Sequence, residues 1–295
     1  MAPQAQCPQP GIRPAPSALV LTLIGLLTAT PSAAQQVPDF NDPGRPDRVR
    51  AMSSEVEDIF REFYEDRPVP GLSWGVVLDG ELILSGAFGT ANLERGLPTD
   101  TRSVFRIASM SKSFTALAIL QLRDQGKLSL DAPASTYLPE MRGMEYPTSD
   151  SPEITVRDLM RHAGGFPEDN PWGDRQLADS DADLIGLMEA GPSFSRAPGV
   201  AYEYSNTGFA LLGQIVQRVS GAEFQDYMRE NLFGPLGMDA TVWEFERADP
   251  DHLALGYNWV DEAWEIVPLE HHGSYGAMGG LMTSIEDFAR YAALH

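Results

Sequence analysis

A mixed α+β chain is predicted by two observations on separate stretches. Residues 72–78 and 82–88 are apolar, β-branched runs on either side of Asp79-Gly80, and four other stretches repeat apolar residues at helical spacing. The first helical stretch covers residues 54–64. Ser54 with Glu57 three residues on has the pattern of a capping box, in which each side chain satisfies a backbone N–H left over at the helix start. Val56, Ile59, Phe60 and Phe63 mark its apolar face. The two strands follow. Asp-Gly between them accepts the positive φ angles of a tight primed turn, so a β-hairpin is expected.

Residues 114–122 are apolar almost all round a helical projection, which predicts a buried central helix. A second short helix is expected over 154–162, followed by a Pro-, Gly- and Asp-rich loop over 163–174. Phe209, Leu212, Ile215, Val216 and Val219 mark a third helix that Gly221 ends. Residues 291–295 read as helical too. No internal repeat or low-complexity tract interrupts the chain.

The N-terminal residues have a different character. Arg13 is the only charge before residue 39, residues 18–29 form an apolar run too short to span a bilayer comfortably, and Ser32-Ala33-Ala34 supplies small residues. A signal peptide over residues 1–34, cleaved after Ala34, is therefore expected. A Pro-, Asp- and Gln-rich linker over 35–50 and one domain over 51–295 would follow it. Cys7 is the only cysteine. A mature chain without it has no disulfide, no thiol nucleophile and no thiolate metal ligand. The formal net charge of −21 becomes one unit more negative once Arg13 is removed. Such acidity opposes binding to nucleic acid and anionic membranes. The partner it leaves is a small-molecule or peptide substrate, with no stable membrane insertion after cleavage. It sets no oligomeric state.

Chemistry is concentrated at Ser109-Met110-Ser111-Lys112. A lysine three residues after a serine lies on the same helical face, where its amine can take the hydroxyl proton that an unaided serine keeps. With 21 serines and two lysines in 295 residues, chance supplies this spacing about 0.14 times. The position adds to it, since the first turn of a helix offers free N–H groups and a positive dipole end to an oxyanion. Tyr204-Ser205-Asn206 precedes the third helix. A tyrosine beside an ammonium can have its pKa lowered and accept a proton, and an asparagine amide can orient a carbonyl and the lysine. Plainer readings exist: a serine N-cap with a surface lysine, and a buried tyrosine with an asparagine cap. His271-His272 can ligate a metal, although a surface pair is the simpler reading, and His162 reads as structural.

Taken together, Ser109-x-x-Lys112 and Tyr204-x-Asn206 resemble the serine β-lactamase-related hydrolases of the class C type. That family includes penicillin-binding proteins, DD-peptidases, D-aminopeptidases and esterases. Neighbouring text is similar as well: Phe105-Arg106-Ile107-Ala108, residues 154–162 with Gly164-Gly165, Pro235-Leu236-Gly237-Met238, and residues 279–284 with Asp287 and Arg290. The resemblance implies an antiparallel sheet flanked by helices plus a mostly helical lobe, with the site between them. It implies Ser109 as acylated nucleophile, Lys112 as its proton partner, Tyr204 as general base or relay, and Asn206 as a substrate-orienting amide. The Ser109 N–H would form half of an oxyanion hole, and neither metal nor cofactor is called for. The expected function is that of an exported serine hydrolase forming an acyl-enzyme on an amide or ester carbonyl. The alternatives are a peptidase acting on D-amino-acid cell-wall peptides and, in another class, a non-catalytic binding protein on the same scaffold.

One part of the pattern is not clearly present. The family's third box, Lys/His-Thr/Ser-Gly on a strand, has only His271-His272-Gly273 as a lookalike, without the hydroxyl and ahead of residues 279–284. The expectation is therefore a hydrolase domain lacking its C-terminal strands and closing helix.

Overall fold

Asp79 and Gly80 adopt left-handed φ angles of 52° and 82°, the geometry that closes a two-residue primed turn. They join β1 (Gly71–Leu78) to β2 (Glu81–Asn92) in an antiparallel hairpin with Trp74 opposite Gly86 and a bulge at Val76/Val77. A short β3 (Leu97–Pro98) pairs with the far end of β2. This computed structural model describes residues 42–295. The expected signal peptide, its cleavage position and the linker up to residue 41 lie outside the described residues.

Helices cover both faces of the hairpin. Trp74 is 6% exposed and lies against Gly86, where a Cβ would stand 2.7 Å from the indole. Phe60 stacks on its ring at 4.6 Å. Gly75, the next residue, points the other way, towards Ile285. Phe60 belongs to α2 (Ser53–Asp66), which follows α1 (Arg45–Ala51) after Met52 alone. Two expectations are corrected here. The linker expected up to residue 50 is already helical from Arg45. The capping box at Ser54 does not form, because α2 starts almost where α1 stops and leaves Ser54 inside its first turn. Glu57 pairs with Arg61 instead. The apolar face is also rotated: Phe60 packs on Trp74 and Tyr64 on Phe88, while Ile59 and Phe63 are 64% and 45% exposed.

The helical lobe is built around α3 (Ser111–Asp124). Phe114, Ile119 and Leu122 are fully buried on it, each contributing roughly 1.5–3 kcal/mol by leaving water. Packed around it are α4 (Val156–Met160), α5 (Asp181–Ala190), α6 (Asn206–Ser220) and α7 (Phe224–Met228), which runs through a wide turn into α8 (Gly234–Leu236). Two capping boxes do occur in this lobe, Thr155 with Asp158 and Ser180 with Asp183. Gly221 ends α6 in the left-handed conformation, as expected.

Two strand pairs complete the fold. β4 (Phe105–Arg106), just before the site, pairs with β7 (Met282–Thr283), and β5 (Gly256–Val260) forms a hairpin with β6 (Ala263–Val267). α9 (Gly276–Gly279) leads into β7, and α10 (Ile285–Ala292) follows it. On α10, Tyr291 stacks on Phe114 at 3.7 Å and so joins the sheet's cover to the helical core. The α+β class holds: an antiparallel sheet flanked by helices, plus a mostly helical lobe. Among the described residues no helix is long and apolar enough to cross a membrane.

Candidate active site

Ser109 sits in a one-turn 3-10 segment, Ala108–Met110, that runs into α3. Ala108 before it has φ +47°, a left-handed angle that costs a residue with a Cβ and that packing must hold in place. Here the holding comes from residues 277–281. The Ile107 N–H donates to Leu281 O, the Leu281 N–H to Ser111 Oγ, and Thr115 Oγ1 to Ala277 O, at 2.9, 3.1 and 2.7 Å. Ser109 is exposed while Ser111 is fully buried, its hydroxyl accepting the Leu281 N–H and donating to Ala108 O. The Ser109 N–H makes no hydrogen bond among the described residues, which suits an oxyanion donor.

Lys112 is 7% exposed, one turn below. Its ammonium donates to Asn206 Oδ1 at 2.7 Å, to Met278 O at 2.7 Å and to Ser109 Oγ at 3.1 Å. Those are three protons on three acceptors. The amine also lies 4.9 Å from the Tyr204 ring centroid and 5.7 Å from that of Phe209. Burial pushes its pKa from 10.5 down to about 8, with Asp169 pulling the other way. About a tenth of the molecules therefore carry a free amine at neutral pH.

Tyr204 closes the triangle, its hydroxyl 2.6 Å from Ser109 Oγ. The expected lowering of its pKa is not found. Burial raises it, reinforced by Tyr202 and Asp169, and the hydrogen bond with Ser109 offsets this only in part. The phenol therefore stays protonated where Lys112 begins to lose its proton. Asn206 makes the expected lysine contact but is 1% exposed. It lies beneath Gly173, where a Cβ would stand 2.6 Å from its Nδ2, so the amide acts on Lys112 from below.

Three participants were missed. Met278 contributes a backbone carbonyl, for which a sequence holds no signal. Asp169, from the loop expected over 163–174, accepts from the Asn206 N–H at 2.6 Å, the Thr207 N–H at 2.8 Å and Thr207 Oγ1 at 2.8 Å. A carboxylate at the start of α6 is favoured by the helix dipole, and the Asp-rich loop ahead of that helix was its one clue. His162, expected to be structural, stacks on Tyr204 at 4.6 Å.

Other candidates lie elsewhere. His271 faces Glu244 and Glu246 on the surface, at 3.0 and 3.5 Å, while His272 is turned inward against Gly280 and Gly276. The two do not converge on one point, and no hydrogen bond joins residues 271–273 to Ser109 or Lys112 among the described residues. Gly71-Leu72-Ser73-Trp74-Gly75 has the spacing of a Gly-x-Ser-x-Gly nucleophile elbow. It runs straight through β1 with regular pairing to β2, without the strand-to-helix turn that exposes such a serine.

Comparison with known proteins gives the family. The beta-lactamase family model matches residues 56–295. A curated relative, "Beta-lactamase-like protein 2" of Dictyostelium discoideum, is 30% identical over 282 residues, covering 92% of this chain and 50% of its own length. Among solved structures, the octameric penicillin-binding protein homologue from Pyrococcus abyssi superposes with a TM-score of 0.70 at 30% identity, over 82% of this chain and 55% of that one. A beta-lactamase/D-alanine carboxypeptidase from Pseudomonas syringae superposes with a TM-score of 0.69 at 27% identity, over 82% and 64%. The chain belongs to the beta-lactamase family. It spans half the length of its Dictyostelium relative.

Proposed function

We propose that this protein is an exported serine hydrolase that opens an amide or ester carbonyl through an acyl-enzyme on Ser109. The observation that carries the reading is the triangle of Ser109 Oγ, Lys112 Nζ and Tyr204 OH, with sides of 3.1 and 2.6 Å at the serine. Asn206 Oδ1 and Met278 O can only accept, so they hold two of the amine's protons whatever its charge. The proton that leaves Lys112 is therefore the one facing Ser109, and the lone pair it uncovers faces the hydroxyl. The free amine takes the serine proton as Oγ bonds to the carbonyl carbon. The Ser109 N–H stabilises the resulting oxyanion. Tyr204, protonated at rest, gives its proton to the departing nitrogen or oxygen and regains one from the Lys112 ammonium, which holds the proton taken from Ser109. Water then attacks the ester, its proton passes to the free Lys112 amine, and Lys112 returns it to Ser109 Oγ as the acid departs.

Export rests on the apolar run and small residues ahead of position 35, and N-terminal sequencing of the secreted protein should begin near Gln35. D-amino-acid peptides of the cell wall are the second substrate class, supported by the carboxypeptidase activity named for the Pseudomonas neighbour. A non-catalytic binding protein is disfavoured, because a buried lysine with a lowered pKa beside an exposed serine serves no binding role. The test is mass spectrometry after exposure to penicillin and to a fluorophosphonate. Mass added at Ser109 by either reagent is expected; an unmodified protein with both reagents overturns the proposal.

A further inference from the structure

We propose that His162 is a positioning residue, one that holds Tyr204 within reach of Ser109 and does so only while its imidazole is neutral. The inference rests on the reading of Ser109 as an acylated nucleophile. Three contacts from one residue carry it. The His162 carbonyl accepts the Glu203 N–H at 2.8 Å and its ring Nδ1 accepts the Ser205 N–H at 3.0 Å. Those are the residues on either side of Tyr204. Its ring also lies against the Tyr204 ring at 4.6 Å and 22°. The tyrosine is thus gripped before, behind and across its face. The backbone of His162 has φ +56°, a left-handed angle uncommon for a residue with a Cβ.

The bond to Ser205 fixes the charge. A backbone N–H can only donate, so Nδ1 must be the bare nitrogen and the ring proton sits on Nε2. Protonating Nδ1 sets two donors head to head, breaks the bond behind Tyr204, and places a second cation near Lys112. The charged and titratable groups around the ring are Lys112 from α3, Asp169 from the loop before α6, and Tyr202 and Tyr204 from its own clamped segment. Burial first and Lys112 second hold the His162 pKa below its ordinary 6.5, with Asp169 opposing. The clamp is intact at neutral pH and opens in acid.

The rate of Ser109 labelling by a fluorophosphonate, measured between pH 5 and 8 on the full chain, tests this. Below the Lys112 pKa of about 8 the rate should fall tenfold per pH unit, and at the acid end a second proton should steepen the fall towards a hundredfold. In His162→Asn the amide oxygen takes the place of Nδ1 and asparagine tolerates the left-handed angle, yet it does not titrate. That variant should label within about tenfold of the parent near pH 7 and fall only tenfold per unit down to pH 5. His162→Phe keeps a ring without an acceptor and should lose on the order of a hundredfold near pH 7, the lower end of what acid–base groups contribute, with the gap to the parent narrowing in acid. Thermal melts of both variants separate misfolding from mispositioning. A single slope in the parent, the same steepening in His162→Asn, or a well-folded His162→Phe that labels at the parental rate each overturns the proposal. A parent that never labels sinks the hydrolase reading itself, and this inference with it.

Discussion

Replacing Lys112 by arginine separates proton transfer from mere charge. The guanidinium keeps the positive charge and has donors to spare for Asn206 Oδ1 and Met278 O, but it does not give up a proton at working pH. At pH 8 about half of the native lysine is free base, because its pKa lies at about 8. An arginine with a pKa above 12 leaves at most about one molecule in ten thousand in that state. Ester or penicillin acylation should therefore fall by roughly a thousand- to ten-thousand-fold, the upper range for a general base. The parent protein supplies its own control. Free amine rises about fifty-fold from pH 6 to pH 8 for a group titrating at about 8, and acylation should rise with it at saturating enzyme. Stopped-flow acylation across pH 6–9 reads both effects. Near-native rates in Lys112→Arg, or a native profile that is flat from pH 6 to 8, would refute the assignment of Lys112 as the proton acceptor.

Three further outcomes are expected. Ser109→Ala should abolish fluorophosphonate labelling while Ser73→Ala leaves it unchanged, and the reverse pattern in peptide mapping would move the nucleophile to β1. Asp169→Asn removes a carboxylate that raises the Lys112 pKa. The rising limb of the pH–rate profile should shift to lower pH, and the weakened start of α6 should cost roughly 1–3 kcal/mol in denaturant titrations; a limb that stays put contradicts the electrostatic argument. Gly86→Ala forces a methyl group to within 2.7 Å of the Trp74 indole and should destabilise the fold by about 1–3 kcal/mol. It should leave the labelling rate per folded molecule alone, and a variant as stable as the parent would show that the indole has room to move.

What the sequence disclosed and what it hid divide along sequence distance. The Asp79-Gly80 hairpin, the buried α3, the Gly221 stop and the Ser109–Lys112 spacing are each decided within a few residues, and each was legible. The capping box at Ser54 was misread because only Met52 separates α1 from α2, which no local pattern announces. The Tyr204 pKa was expected to fall from its lysine neighbour alone. Burial raises it instead, and one of the rings packed on the phenol is that of His162, 43 residues from the Ser205 it binds. The Met278 carbonyl and the Asp169 carboxylate reach Lys112 and α6 from even less predictable places.

The way Lys112 is held bears on when the protein becomes reactive. Its acceptors lie 94 and 166 residues away along the chain, so neither exists for the lysine until α6 and residues 276–280 have docked on α3. Until then the amine is hydrated, keeps the proton of an ordinary lysine, and leaves Ser109 as inert as any free serine. Reactivity at Ser109 thus waits on these long-range closures. A chain still being made, or not yet folded, carries no reactive serine to be acylated by whatever esters or lactams it meets.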